Sequence, residues 1–301
     1  METNVVEIQG VTRAFGGLKA LDNIDFTVQP GCVHGLVGAN GAGKTTLIKH
    51  ILGLLKAKNG SVRVFGLDPV RNPVEVLVRI GYLSEERDLP EWMRIHELMR
   101  YTQAYHPKWD MDYADALIRT FELDPRQKIK TLSRGQRAQT GLIAAVAHRP
   151  DLLLLDEPSS GLDAVVRKDI LKEVVRAVAD EGRTALFSSH LLDEVERMSD
   201  VVTMIHKGKI VLHGELDAIK EAHWRLSIRF PEAPTSRPEI PGVLSLDGIG
   251  RDYQAVCDGG LDEAKAALHA LGAEITEARN ASLEEIFVAR VGRGALAREE
   301  G

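Results

Sequence analysis

The run Gly38-Ala39-Asn40-Gly41-Ala42-Gly43-Lys44-Thr45-Thr46 constrains this chain more than any other segment. It matches G-x-x-x-x-G-K-[ST] and separates VHGLVG, an apolar run of buried-strand type, from TTLIKHILGLL, which reads as a helix. A strand that hands a glycine-rich loop to a helix start belongs to an α/β fold, with ligands at the carboxyl edge of the sheet. Small residues let successive backbone N–H groups turn inward around a polyphosphate, and the helix start adds its positive dipole end. Lys44 can reach the β- and γ-phosphates, and the Thr45 hydroxyl can ligate Mg²⁺. Phosphate binding is therefore expected at Gly38, Asn40, Gly41, Ala42, Gly43, Lys44, Thr45 and Thr46.

The flanking sequence extends the α/β reading. VVEIQGVTRAF and LDNIDFTVQPG half-alternate and read as antiparallel strands ending at Pro30-Gly31, and SVRVFG and IGYL read as further strands. From Glu85 to about Arg149 the pattern is helical: RIHELMRYTQAY, MDYADALIRTFEL and a helix opening at Ser133. Tyr82, Trp92, Tyr101, Tyr105, Trp109, Tyr113 and Phe121 cluster around this stretch, either as the core of a helical subdomain or as an exposed groove for a partner helix. After Pro150 come the strand DLLLLDE, a helix over 164–180, the strand TALFSS, the helix LLDEVERM and the strands VVTMIH and KIVLHG, which together predict a mostly parallel sheet. Near Glu221 the character changes to strand WRLSIRF, the Pro-rich connector PEAPTSRPEIPG, strand YQAVCDG and the amphipathic helix LDEAKAALHALG. The expected division is a larger unit over 1–222, its helical subdomain at about 85–149, and a small α+β unit over 223–301. Leu261, Ala264, Leu268 and Leu271 fall at helical spacing and read as the core of the smaller unit.

LLLLDE delivers Asp156 to a strand end, where it can hold Mg²⁺ directly or through water, and Glu157 beside it can orient a water for in-line attack on a γ-phosphate. An acidic pair after an apolar strand also serves purely structural roles, so the reading depends on what surrounds it. Several classes drop out on composition. With 301 residues and a net charge of -6, the chain lacks the basic footprint of a nucleic-acid binder. Cys32 and Cys257 are far apart and fit two buried thiols in a reducing cytosol rather than a disulfide or metal framework. The start METNVVEIQG lacks a signal-peptide pattern, and no run is apolar for long enough to span a membrane, so a membrane role needs a partner. The histidines lack zinc-ligand spacing, and there is no G-x-S-x-G elbow.

Leu132-Ser133-Arg134-Gly135-Gln136 lies between the glycine-rich loop and Asp156. Ser133 can cap a helix whose start forms a second anion site. LSRGQ resembles the signature sequence of ATP-binding cassette (ABC) proteins, usually LSGGQ, and further family motifs follow in order over about residues 5–215. The resemblance places Phe15 against adenine, Glu85 at the position of the usual Q-loop glutamine and on the metal side, and SGLD, ending in Asp163, at the D-loop. His190 of SSH corresponds to the switch histidine that contacts the γ-phosphate. Two departures stand out. Arg134 replaces a glycine, which would cost on the order of 1 kcal/mol if that position needed positive φ. Glu85 replaces an amide and adds negative charge beside ATP, although it remains an oxygen ligand for Mg²⁺.

The family resemblance implies an α/β P-loop ATPase with a mostly parallel core sheet, an antiparallel β subdomain and a helical subdomain. It also implies ATP and Mg²⁺ as ligands. Each ATP would lie between Lys44 of one subunit and Ser133, Gly135 and Gln136 of another, in an ATP-dependent homodimer or a heterodimer with a related ATPase subunit. ATP binding would close that dimer, and the region from Glu85 to Trp109 would pass the motion to a partner. The tail ASLEEIFVARVGR resembles export-type ABC ATPases. The expected role is thus the hydrolysing subunit of an exporter, cytoplasmic and peripheral on the inner face of the membrane, working with a separate transmembrane permease subunit and with no nucleic acid. A soluble ABC ATPase of cofactor assembly is the alternative. A regulator that binds ATP without hydrolysing it is opposed by Glu157 and His190 together.

Overall fold

A computed structural model describes residues 4–179, 182–234, 238–259 and 261–292. In chain order, the first half comprises β1 (Val6–Phe15), β2 (Leu18–Val28), β3 (Val33–Val37), α1 (Lys44–Ile51), β4 (Asn59–Val64), α2 (Pro73–Leu77), β5 (Ile80–Leu83), α3 (Ile95–Gln103), α4 (Met111–Thr120) and α5 (Arg134–Val146). The second half comprises β6 (Leu152–Asp156), α6 (Ala164–Ala179), β7 (Thr184–Ser189), α7 (Leu192–Met198), β8 (Val201–His206), β9 (Lys209–Glu215), α8 (Leu216–Ala222), β10 (His223–Arg229), β11 (Val243–Ile249), β12 (Asp252–Asp258), α9 (Leu261–Ala270), β13 (Glu274–Asn280) and α10 (Leu283–Val291).

The central sheet runs β5-β6-β7-β3-β8-β9 and is parallel except where β9 returns antiparallel along β8. A parallel strand is covered on both faces, so it reads as an unbroken apolar run rather than an alternating one. The run in β6 shows why: Leu152 and Leu154 join a core with α1 and the antiparallel sheet β2-β1-β4, while Leu153 and Leu155 join a second core with α3 to α7. Each buried leucine removes apolar surface worth about 1.5–3 kcal/mol. The strand end carrying Asp156 and Glu157 is therefore held from both sides.

Some expected boundaries move. α1 ends at Ile51, short of the expected GLL, because Gly53 turns with φ 70° against Pro69, whose carbonyl oxygen would lie 2.5 Å from a Cβ there. The polar edge strand β13 and the short helices α2 and α8 carry too little periodicity to be read in advance. Residue 180 of the expected helix and residues 235–237 of the Pro-rich connector lie outside the described residues. Cys257 is buried, but Cys32 is only partly so, which corrects the expectation of two buried thiols. Burial pushes both thiols up to about 11. The aromatic cluster divides: Tyr113 and Phe121 are core, whereas Trp92, Tyr101 and Tyr105 are exposed.

α8 runs directly into β10, which starts the antiparallel sheet β11-β12-β10-β13. α9 packs through Ala264 and Leu268 against Leu226, Ile228, Ala255 and Cys257, while Leu271, beyond the helix end, is exposed. Val256 instead joins Leu283, Ile286 and Phe287 of α10 in the core that contains Val195 of α7 and Val202 of β8. Glu196 of α7 strengthens this contact by accepting from Leu283 N at 3.2 Å and from Lys220 Nζ at 2.7 Å.

Candidate functional site

The loop from Gly38 to Gly43 joins β3 to α1 at the carboxyl edge of the central sheet. Two of its glycines are dictated by space. A Cβ on Gly38 would lie 2.3 Å from Ile205 O, and one on Gly43, which has φ 118°, would lie 2.4 Å from Ala20 O. The loop thus wraps tightly beneath a cleft of about 260 Å³ lined by Ala20, Asn40, Gly41, Gly43, Lys44, Thr45, Thr46, Glu85 and Glu157. Ala42 is packed away beneath it.

Lys44 and Glu157 are both buried, and Lys44 Nζ lies 3.0 Å from Glu157 Oε1. Lys44 also donates to Gly38 O at 2.5 Å and Ala39 O at 3.4 Å. The other Glu157 oxygen lies 2.7 Å from His190 Nδ1. Burial alone would push the Glu157 carboxyl up, but the His190 contact and the Lys44 charge outweigh it and hold the group below its usual range. The site therefore keeps an ionised carboxylate between a lysine and a histidine. Glu157 also has φ 48°, a strained conformation for a residue with a Cβ, of the kind that clusters at functional sites.

Asp156 is 1% exposed and sits one residue behind the cleft wall. Ser188 Oγ donates to Asp156 Oδ1 at 2.7 Å and accepts from Glu157 N at 2.9 Å, so one hydroxyl fixes both acids. Sequence reasoning passed over Ser188, although it is the first residue of the SSH motif. Among the described residues no group of three or more His, Cys, Asp and Glu could cage a metal. The oxygen donors Thr45, Glu85 and Asp156 suit an ion that keeps waters and phosphate oxygens as ligands, which is the habit of Mg²⁺. The residues thus fit that ion in a shared, not an enclosed, site.

Other expected positions lie apart from the cleft lining. Phe15 ends β1, 47% exposed, with the Arg13 guanidinium 4.7 Å from its ring centroid. Ser133 caps α5: its Oγ accepts from Gln136 N at 3.1 Å, and Gln136 Oε1 accepts from Ser133 N at 3.0 Å. Gly135 faces Val166 of α6, and Asp163 caps α6 by accepting from Val165 N and Val166 N. Arg134 does not carry the strain that a positive φ would impose, since it opens α5 and is absent from the non-glycine residues with positive φ. Its guanidinium rests over Gly161 of the SGLD loop, where a Cβ would lie 2.2 Å from it.

A larger groove of about 630 Å³ lies beside the cleft, lined by Val74, Leu77, Tyr82, Leu89 and Tyr105 among others. Ser84, Arg87 and Asp88 also line it, so the segment that carries Glu85 into the cleft borders both concavities. Arg87 is buried and donates to Pro158 O at 3.1 Å and Ser160 O at 2.8 Å, which ties that segment to the loop after Glu157.

A family model described as ABC transporter matches residues 21–160. The daunorubicin/doxorubicin resistance ATP-binding protein DrrA of Streptomyces peucetius is 32% identical over 313 residues, covering 97% of this chain and 94% of its own. A solved structure of the ATP-binding subunit of an ABC transporter is similar with TM-score 0.67 at 27% identity, over 72% of this chain and 92% of its own. A dimeric bacterial ABC transporter cassette, MJ0796, shares the fold with TM-score 0.63 at 20% identity, over 70% and 98%.

Proposed function

Starting from the fact that this chain belongs to the ABC transporter ATP-binding proteins, we propose that it hydrolyses ATP at a site completed by a second subunit and drives export through a separate transmembrane permease. The observation that carries this reading is the Lys44–Glu157–His190 arrangement at the glycine-rich loop, with Lys44 and Glu157 buried and His190 half-buried.

Residues 38–46 cradle the polyphosphate through their N–H groups and the α1 start, and Phe15 stacks on adenine. The triphosphate competes with Glu157 for Lys44, so nucleotide arrival frees a carboxylate oxygen. Glu157 then orients the attacking water and takes its proton, while His190 holds Glu157 in place and reaches the γ-phosphate. Thr45, Glu85 and Asp156 would hold Mg²⁺, which would supply charge neutralisation on the phosphates. Ser133, Gly135 and Gln136 of the second subunit, with its Asp163, close the site over the γ-phosphate. Positioning and charge neutralisation supply the rate, because phosphoryl transfer asks little covalent chemistry of the protein.

Among the described residues no helix is long and apolar enough to cross a membrane. The groove beside the cleft is where a cytoplasmic segment of the permease docks, and the segment 84–89 relays its motion to Glu85. A subunit docked in this way lies on the inner face of the membrane. The resistance function in the name of DrrA supports the export direction. We further propose that residues 223–301 form a unit of their own beside the ATPase over 1–222, whose helical subdomain spans about 85–149.

Glu157→Gln tests the reading. The variant is expected to bind ATP at least as tightly as the native chain, to lose turnover by about 10²–10⁴-fold as a missing general base would, and to elute as an ATP-dependent dimer in size exclusion. Undiminished hydrolysis would remove Glu157 from the role of base.

A further inference from the structure

Glu194 has no role in the mechanism above, yet it is 7% exposed and lies in the first turn of α7, just beyond His190. Its Oε2 accepts from Ser159 Oγ at 2.5 Å and from Ser189 Oγ at 3.4 Å. Its Oε1 lies 3.3 Å from Arg167 Nε. Ser159 is two residues past Glu157, and Ser189 immediately precedes His190. Arg167 in turn donates to Leu162 O at 3.4 Å, within the SGLD loop.

An acid in the first turn of a helix gains from the helix dipole wherever it points. That accounts for a carboxylate on α7 but not for its direction. Turned inward, it loses its water and is tolerated only because two serine hydroxyls donate to it and the Arg167 guanidinium lies beside it as a counter-charge. The two hydroxyls flank the reacting pair: Ser159 lies in the loop after Glu157, and Ser189 ends β7 just before His190. Glu157 and His190 directly follow the ends of different strands, β6 and β7, and touch through one 2.7 Å contact. A shift of about 1 Å in such a contact can cost about 10²-fold in rate. The loop carrying Glu157 also holds a strained φ, which persists only where its surroundings over-determine it.

We infer that Glu194 is a positioning residue for ATP hydrolysis: by joining Ser159 to Ser189 it sets the separation of Glu157 from His190. This rests on the assignment of Glu157 and His190 proposed above.

The test uses the full-length chain with Glu194→Ala, Glu194→Gln, Ser159→Ala and the double variant Glu194→Ala/Ser159→Ala. For each, kcat and KM for MgATP, the Kd of a fluorescent ATP analogue and the Tm are measured. Glu194→Ala is expected to lower kcat about 10- to 100-fold, the scale of a slightly misplaced reacting group, while the Kd for the analogue stays native. Glu194→Gln retains an acceptor for the serine hydroxyls and is expected to recover most of kcat. Ser159→Ala should lower kcat as well, and the double variant should lose little more than Glu194→Ala alone, because both remove one link. Native kcat in a folded Glu194→Ala variant would overturn the inference. So would kcat, Kd and Tm declining together, or losses that multiply in the double variant. If Glu194→Ala does not fold, Ser159→Ala decides alone: native kcat there overturns the inference. Full turnover in Glu157→Gln would sink the parent assignment instead, whereas an inactive Glu157→Gln beside a fully active Glu194→Ala would sink only this one.

Discussion

The cleft around Lys44 and the helix start at Ser133 supply the two halves of the proposed nucleotide site, and they are built in opposite ways. Lys44, Asp156 and Glu157 are withdrawn from water and bonded to one another or to Ser188 and His190. Ser133 is exposed, uncharged and satisfied by Gln136 of its own helix. Desolvation explains the contrast. Buried charges need partners whether or not a ligand is present, whereas neutral N–H groups at a helix start can stand in water at little cost. The first half is therefore pre-assembled, and the second needs only to be brought to it.

The largest expected effect follows from breaking the charged half. Lys44→Ala should weaken ATP binding about 10- to 100-fold, equivalent to losing charge-assisted contacts of about 1.5–3 kcal/mol, as read by equilibrium titration. Native affinity in that variant would mean that the phosphates do not lie in this cleft.

Mixing tests whether the halves meet between subunits. Ser133→Glu places a negative charge at the facing helix start and should bind ATP normally but turn over poorly. When Lys44→Ala and Ser133→Glu chains are combined, random pairing leaves one intact composite site in each mixed dimer. Roughly a quarter of native turnover should then return. If none returned, the two halves would belong to separate sites.

The smallest effect concerns stability and separates the halves by pH. The Glu157 pKa is held below its unfolded value, so its ionised form stabilises the fold above the ordinary carboxylate range, and that contribution is lost as pH falls through the lowered value. Glu157→Gln should accordingly be less stable than the native chain at neutral pH, with the gap closing in acid. Ser133→Ala removes an uncharged cap and should cost about 1 kcal/mol at either pH. Denaturant titrations at the two pH values compare these penalties.

What could be read from the sequence follows the reach of each interaction. The glycine-rich loop, LLLLDE and the Ser133 cap are local patterns, and local pattern places them on a loop, a strand end and a helix start. The roles of Ser188, Glu194 and Arg87 depend on partners more than thirty positions away, which spacing along the chain does not reveal. Arg134 shows the converse. A substitution that looked costly carries no backbone strain, because the position opens a helix and needs no positive φ, and its side chain lies over Gly161. β13 escaped notice since, as an edge strand, it leaves only Ile275 partly buried, and polar edges discourage unwanted pairing at the expense of a clear alternation.

The seam between α7 and α10 has a practical consequence for trimming this protein. Leu283, Ile286 and Phe287 join α7 in one apolar core, and Glu196 anchors the first turn of α10. A chain cut after residue 222 would leave the α7 side of that core bare, a sticky patch on the helix that follows His190. Minimal versions of this chain would need polar replacements on the part of α7 that α10 covers before they could be handled as stand-alone domains.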